Sequence, residues 1–155
     1  MRITLISIGK LKESYWKEAE TEYLKRLTPY AKMEIIEHKE IAFGNKDNPE
    51  TIKTKEAELI LASLPHQSYS IALDPRGTSF SSENLAEKIR ELEHETSHIA
   101  IIIGGPLGIH ESVFTRVNLK LSLSALTFTH QMTRVILEEQ LYRAYMIKNG
   151  KPYHH

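Results

Sequence analysis

The feature that most constrains the fold is an unbroken apolar run over residues 99–103, Ile-Ala-Ile-Ile-Ile, which ends at Gly104-Gly105. Alternate side chains of a strand point to opposite faces of its sheet. A strand that is apolar on both faces needs cover on both, which is typical of a parallel sheet held between layers of helices. The run therefore predicts an interior strand of such a sheet.

Strand and helix patterns alternate along the rest of the chain, with helices where apolar residues recur every three or four positions. Further strands are predicted over residues 3–8, 33–37, 69–73 and 119–123, with a turn at Asp74-Pro75-Arg76-Gly77. Helices are predicted over about 15–27, 49–64, 82–92, 111–116 and 131–148. This alternation predicts an α/β fold, a mostly parallel sheet with helices on both faces, as a single domain over residues 1–155.

The composition excludes several classes of protein. The chain has 155 residues, and its 20 Lys and Arg balance 20 Asp and Glu. This neutrality argues against loose binding to nucleic acid in general, although docking on one structured site stays open. With no cysteine, disulfides, thiolate zinc sites and a cysteine nucleophile are excluded. No signal-peptide pattern and no apolar run of about 20 residues occurs, so we expect a cytoplasmic protein that enters no membrane.

Three loops are predicted to meet at one edge of the sheet. Ligands of open parallel sheets bind beyond the carboxyl ends of the strands, where Leu73-Asp74, Gly104-Gly105 and the loop over residues 124–128 follow three predicted strands. Glycines there let backbone N–H groups approach a ligand closely. The Gly104-Gly105-x-x-Gly108 pattern is neither the dinucleotide fingerprint nor a Walker loop. A plain strand-to-helix turn stays an equally open interpretation.

One short motif matches a zinc protease. His94-Glu95-Thr96-Ser97-His98 fits the pattern H-E-x-x-H, in which both histidines share one face of a helix. Here His98 adjoins the apolar strand, so we expect the helix to end between the two histidines. We therefore expect no metal and favour a solvated helix end over a zinc hydrolase.

The last predicted helix is apolar on more than one narrow stripe. Such a helix has to be buried on two sides, which is compatible with a core helix or with a core helix that also forms a homodimer interface. We favour the homodimer, with Tyr142 and Tyr145 as aromatic anchors. The helix also carries His130, Arg134 and Arg143, and the tail that follows Gly150 is rich in aromatic and imidazole groups.

Several separate motifs, in order, resemble one known family. They are Ile103-Gly104-Gly105-Pro106-Leu107-Gly108, the segment Leu121-Ser122-Leu123-Ser124-Ala125-Leu126-Thr127-Phe128, then His130-Gln131-Met132, Glu139-Gln140-Leu141-Tyr142-Arg143-Ala144 and Pro152-Tyr153-His154. Together they closely resemble the ribosomal large-subunit methyltransferase H family of the SPOUT class, over essentially the whole chain. One departure is Thr129, where the family commonly has proline; threonine can still cap a helix.

The resemblance implies an S-adenosylmethionine-dependent methyltransferase that modifies N3 of a pseudouridine in 23S rRNA. It implies a homodimer and a C-terminal trefoil knot, which alternation alone would not suggest because knotted chains are rare. By the same resemblance the cofactor-binding residues are Leu73, Gly104, Leu123, Ser124, Ala125, Leu126, Thr127 and Phe128. We expect a Cβ at Gly104 to intrude on the ligand.

The chemistry of the reaction suggests further roles. N3 of a pseudouridine carries a proton near neutral pH, so a general base helps, and histidine is the natural candidate. We predict His154 as the base, with His130 as second choice, and Arg143 or Arg134 as the group that neutralises charge on the uracil oxygens or holds a phosphate. Tyr153 is predicted to stack on the target base.

Two other functions stay open from the sequence. The same cofactor could serve methyl transfer to a tRNA base or ribose, although the neutral charge and the lack of an appended RNA-binding domain favour the ribosome as substrate. A nucleotide-binding regulatory module without catalysis would need only the glycine turn at the sheet edge. Methyl-transfer assays on ribosomes and on free tRNA separate these alternatives.

Overall fold

A computed structural model describes residues 1–153. Five parallel strands form one sheet, in the order β2-β1-β4-β3-β5. The strands are β1 (Arg2–Ile8), β2 (Lys32–His38), β3 (Tyr69–Ser79), β4 (His98–Ile103) and β5 (Leu119–Ser122). The helices are α1 (Ser14–Leu27), α2 (Pro49–Ser63), α3 (Ser82–Glu95), α4 (Glu111–Phe114) and α5 (His130–Lys148). The predicted α/β fold with a parallel sheet is confirmed.

Each face of the sheet has its own apolar core. On one face Leu5 and Ile101 of the central strands pack with residues of α1, α3 and α5. On the other face Ile6 and Ile102 pack with residues of α2 and α4. The interior strand predicted from residues 99–103 is buried on both faces, which confirms that the apolar run is a central strand covered on both sides.

Helix starts are set by side-chain caps. Asn48 accepts a hydrogen bond from the N–H of Glu50 at the start of α2, and Ser81 accepts one from the N–H of Asn84 in α3. Thr129 does the same for Met132 at the start of α5. These oxygens satisfy N–H groups that the first helical turn leaves unpaired.

No helix within residues 1–153 is both long and apolar enough to cross a membrane.

The prediction of a turn at residues 74–77 is wrong. β3 continues through it to Ser79 and shifts its register against β5 between Leu73 and Thr78. The strand bulges there instead of ending, and the bulge keeps the Pro75 segment next to β5. Gly77 fits because a Cβ at this position would lie 2.6 Å from the carbonyl oxygen of Lys120 on β5.

α5 is buried by its own chain, which changes the expected role of one tyrosine. Between α1, α3 and the sheet, Tyr145 is 1% exposed and stacks on Tyr30 at 5.7 Å between ring centroids. A side chain so enclosed has no surface to offer a second chain, so Tyr145 is not an interface anchor. Tyr142 is half-buried against Tyr30 and Tyr153.

Candidate functional site

A cavity of about 630 Å³ lies where the carboxyl ends of β3, β4 and β5 meet the start of α5. Small-molecule sites typically enclose about 300–1,000 Å³. Of the predicted cofactor-binding residues, those that line the cavity are Leu73, Gly104, Leu123, Ser124, Leu126, Thr127 and Phe128. Ala125 lies in the same loop between lining residues. The sheet edge thus brings the three predicted loops together, while their role in binding stays a prediction.

Backbone and small side chains shape the loop that follows β5. The hydroxyl of Ser122 lies 3.1 Å from the carbonyl oxygens of both Pro75 and Ser124, which ties this loop to the bulge of β3. The N–H of Leu126 donates to the hydroxyl of Ser124 at 3.0 Å. Leu126 is 71% exposed at the rim of the cavity. An apolar side chain exposed to this extent at a pocket rim can close over the flat apolar part of a ligand.

Contacts within the chain determine the shape of the glycine turn after β4. The N–H of Gly108 donates to the carbonyl of Gly105 at 2.9 Å, and Gly108 has a positive φ of 83°. A Cβ at Gly104 would lie 2.5 Å from Cγ1 of Ile109. The turn that follows therefore gives a second reason for a glycine here, because a side chain would strike Ile109. The expected intrusion of a Cβ on the ligand stays a prediction.

Asp74 brings a negative charge to the cavity. It is 9% exposed, and the guanidinium of Arg76 donates to its carboxylate at 2.9 Å through both Nε and Nη2. These bonds hold the pKa of Asp74 below its usual value, so the group is ionised across the physiological range. A fixed carboxylate at the edge of a ligand cavity can accept hydrogen bonds from hydroxyl or amino groups.

His130 joins the cavity wall as the first residue of α5. Its Nε2 lies 3.3 Å from Oε1 of Glu40, in the loop after β2. Gln131, also in the wall, accepts a hydrogen bond from the N–H of Lys12 at 2.6 Å. The sequence reasoning did not propose Glu40 or Gln131. For Glu40 a signal existed, because this residue also follows the carboxyl end of a strand.

Arg143 and Tyr153 are not part of the cavity lining of their own chain. The Arg143 guanidinium binds Glu139 at 2.6 Å and lies 4.0 Å from the centroid of the Tyr153 ring. The Tyr153 hydroxyl donates to Glu139 at 2.8 Å. Their proposed roles in catalysis therefore stay predictions that require a second chain or a movement of the tail. His154 and His155 lie outside the described residues.

Arg134 is buried and paired within the chain, whereas a role in binding uracil or phosphate would require an accessible cation. Its side chain is 3% exposed and binds Glu20 on α1 and Glu37 on β2. Both carboxylates belong to the same chain, so the charge of Arg134 is already compensated inside the protein. Arg134 is therefore not available to a uracil or a phosphate.

The two histidines of the zinc-protease pattern lie on different elements. His94 is in the last turn of α3, whereas His98 begins β4 and its Nε2 lies 2.8 Å from the hydroxyl of Thr4. The expected end of the helix between them is confirmed. Within residues 1–153 no group of three or more His, Asp or Glu side chains is arranged to hold a metal.

Comparisons with known proteins agree on one family. The family model described as "Predicted SPOUT methyltransferase" matches residues 1–154. The chain is 49% identical to "Ribosomal RNA large subunit methyltransferase H" of Clostridium novyi (strain NT), over 99% of both chains. It is 46% identical to the protein of that name in Acetivibrio thermocellus, again over 99% of both chains.

A solved structure shares the fold at low sequence identity. The structure titled "a probable methylase family protein from Haemophilus influenzae Rd KW20" aligns with a TM-score of 0.55 and 16% identity. The alignment covers 99% of this chain and 70% of that one. At this identity the likeness concerns the architecture, a parallel sheet with helices on both faces.

Proposed function

The chain belongs to the SPOUT methyltransferases, and within them to the ribosomal RNA large subunit methyltransferase H family, and from this premise we propose that it methylates N3 of a pseudouridine in 23S rRNA with S-adenosylmethionine as donor. The observation that carries the proposal is the cavity at the carboxyl ends of β3, β4 and β5, because seven of the eight residues that the family resemblance assigns to the cofactor line it.

The residues around the cavity fit such a donor. Leu73, Leu123 and Phe128 offer apolar surface to an adenine ring, and the Gly104-Gly105 turn offers backbone groups without side chains in the way. The ionised Asp74 can accept hydrogen bonds from ribose hydroxyls or attract a cationic group. When bound, S-adenosylmethionine supplies an electrophilic methyl group on a positively charged sulfur.

The protein has to align the nucleophile, exclude water and take up one proton. N3 of the pseudouridine gives its proton to a base of the protein, and its electron pair forms the new bond to the methyl carbon. The bond from that carbon to sulfur breaks, and its electrons stay on sulfur. His130 in the cavity wall and His154 in the tail are the two candidates for the base.

We extend the proposal to the assembly. A homodimer would let the tail of one chain, with Tyr153, His154 and the neighbouring Arg143, reach the cavity of the other. Support comes from the position of Arg143 and Tyr153, which do not line the cavity of their own chain. The family resemblance adds a trefoil knot in the C-terminal part, and the ribosomal substrate makes the cytoplasm the expected compartment.

A methyl-transfer assay tests this function. Purified protein is incubated with S-adenosylmethionine labelled on the methyl group and with one of three substrates: ribosomes that lack the modification, free 23S rRNA or total tRNA. We expect label in 23S rRNA, at an N3-methylated pseudouridine. Label in tRNA instead would support the alternative substrate, and binding of the donor without any transfer would support a regulatory module.

A further inference from the structure

His130, in the cavity wall, forms a polar pair with Glu40. Nε2 of His130 and Oε1 of Glu40 lie 3.3 Å apart, and both atoms are buried. Neither atom has a hydrogen-bond partner within residues 1–153. A buried polar atom without a partner costs free energy, about 1–3 kcal/mol for a neutral group and more for a charged one. The two atoms therefore have a reason to interact with each other.

The backbone leaves room for this pair at Gly9, directly after β1. Gly9 has a φ of 98°, a conformation that favours glycine. A Cβ at this position would lie 2.6 Å from Oε1 of Glu40 and 2.7 Å from Nε2 of His130. Any other residue at position 9 would enter the space where the two side chains meet. The end of the central strand β1 is thus shaped around the pair.

Neighbouring hydrogen bonds fix the backbone that carries each of the two side chains. The hydroxyl of Thr129 caps α5 and fixes the start of the helix, where His130 is the first residue. On the other side, the N–H next to Glu40, that of Ile41, points to Oε1 of Glu56 at 3.5 Å. Glu56 is 3% exposed, and burial raises its pKa. The carboxylate of Glu40 therefore approaches His130 from a loop that is anchored to α2.

We propose that Glu40 is a positioning residue that turns the Nε2–H of His130 toward itself and leaves Nδ1 to accept the N3 proton of the substrate. A neutral imidazole has one N–H and one acceptor nitrogen, and a carboxylate next to one nitrogen fixes which is which. Once the proton has moved, the carboxylate also stabilises the imidazolium. The proposal rests on the proposed function and selects His130 over His154 as the base.

Other charged residues lie near the pair. Glu56 on α2 contacts the N–H of Ile41, and burial and then the charge of Glu40 raise its pKa, so it is less often ionised. Arg134 follows His130 by one turn of α5, but Glu20 and Glu37 already compensate its charge. The carboxylate of Glu40 lies 3.3 Å from Nε2 of the imidazole ring and is therefore the charge that the proposal assigns to it.

The first test follows the imidazole of His130 by NMR, without substrate or donor. In Glu40→Gln we expect the ring to lose its single tautomer and to populate both neutral forms, because the carboxylate that holds the Nε2–H is gone. Glu40→Asp restores part of the preference for one tautomer. Glu58→Gln makes the same charge change at an exposed site on α2, and we expect it to leave His130 unchanged. An unchanged tautomer of His130 in Glu40→Gln would overturn the proposal.

The second test compares kcat with KM for methyl transfer. In Glu40→Gln we expect kcat to fall about tenfold, a part of what a general base contributes, while KM stays near the wild-type value. Glu40→Asp recovers part of the lost kcat. A wild-type kcat in Glu40→Gln, together with a changed tautomer in the NMR experiment, would overturn the role of His130 as the base. If the wild-type chain itself transfers no methyl group, the proposed function fails, and the NMR result still reports on the pair.

Discussion

Gly104 illustrates how a single residue shapes the cavity. Its missing side chain leaves space for Ile109, which packs into the core beneath the turn. One constraint on this residue therefore lies inside the protein, where the packing of Ile109 helps to shape the cavity wall. A change here alters ligand binding through the turn that Gly105 and Gly108 close.

A double-mutant cycle tests this steric reason. Gly104→Ala is expected to destabilise the fold by about 1–3 kcal/mol, because the added methyl group overpacks against Ile109. In the background of Ile109→Ala most of this cost is expected to disappear, so the two changes are not additive. Urea unfolding of the four proteins measures the coupling. Equal costs of Gly104→Ala in both backgrounds would show that Ile109 is not the obstacle.

A second residue, Glu138, links the core to pH. Its side chain is fully buried on α5, and Nε of Arg134 lies 3.8 Å away. Burial, and next the negative charge of Glu20, raise the pKa of Glu138 from 4.5 to about 9. At neutral pH the folded protein therefore holds a proton that the unfolded chain has released.

The sign of the pH effect follows from this proton. The contribution is fully present below pH 4.5 and is lost as the pH rises toward about 9. Over that interval the free energy of unfolding is expected to fall by up to about 1.4 kcal/mol per pH unit. Glu138→Gln, which resembles the protonated form, flattens the dependence, whereas Glu18→Gln at an exposed site leaves it intact. Denaturant unfolding between pH 5 and 9 measures both, and an equal slope in Glu138→Gln and wild type would contradict the assignment.

At the scale of elements, the contact between β3 and β5 sets one side of the cavity. The bulge after Leu73 brings the chain back into register at Thr78, and Gly77 lies against the backbone of Lys120 between these points. β5 then continues into the loop that lines the cavity. The spacing of the two strands at Gly77 therefore determines where this loop begins.

Gly77→Ala tests that dependence. The added methyl group would lie 2.6 Å from the carbonyl of Lys120, and because this obstacle is backbone, the strands themselves have to move apart. We expect a loss of about 1–3 kcal/mol in stability and weaker donor binding in calorimetry. Gly44→Ala is the matched control, since its nearest contact would be 3.9 Å away. Unchanged donor affinity in Gly77→Ala would show that the spacing of β3 and β5 at the bulge does not determine donor binding.

Local patterns in the sequence were sufficient to predict the elements that place the cavity. The apolar run before Gly104 and the ends of β3 and β5 predicted the meeting of three loops, since parallel strands end at one edge. The burial of Arg134 could not be predicted, because its partners Glu20 and Glu37 are 114 and 97 positions away. The bulge of β3 was missed for a related reason: Asp74-Pro75-Arg76-Gly77 is a turn pattern, and pairing with β5 overrides it.

At the scale of the whole molecule, the proposed donor cavity and two of the proposed catalytic residues lie apart in one chain. Arg143 and Tyr153 do not line the cavity of their own chain. Tyr153 packs on α5 of its own chain, where its hydroxyl binds Glu139 and its ring meets Arg143. In the proposed homodimer this tail serves the neighbouring cavity. Donor binding and methyl transfer then depend on different parts of the assembly.

Deletion of residues 153–155 tests this division. We expect methyl transfer to be abolished and S-adenosylmethionine binding to stay within about twofold of wild type, because Tyr153 does not line the cavity of its own chain. Tyr153→Phe is the milder control, since it keeps an aromatic ring for stacking and loses the bond to Glu139. Transfer at the wild-type rate by the truncated protein would remove the tail from the mechanism.

The most direct measurement is a crystal structure of the protein with S-adenosylhomocysteine. We predict the ligand in the cavity between Leu73, the Gly104-Gly105 turn and the loop of residues 123–128, with its sulfur directed toward the side of His130. A ligand bound at any other surface, or no binding at concentrations that saturate known methyltransferases, would contradict the proposed site and with it the proposed function.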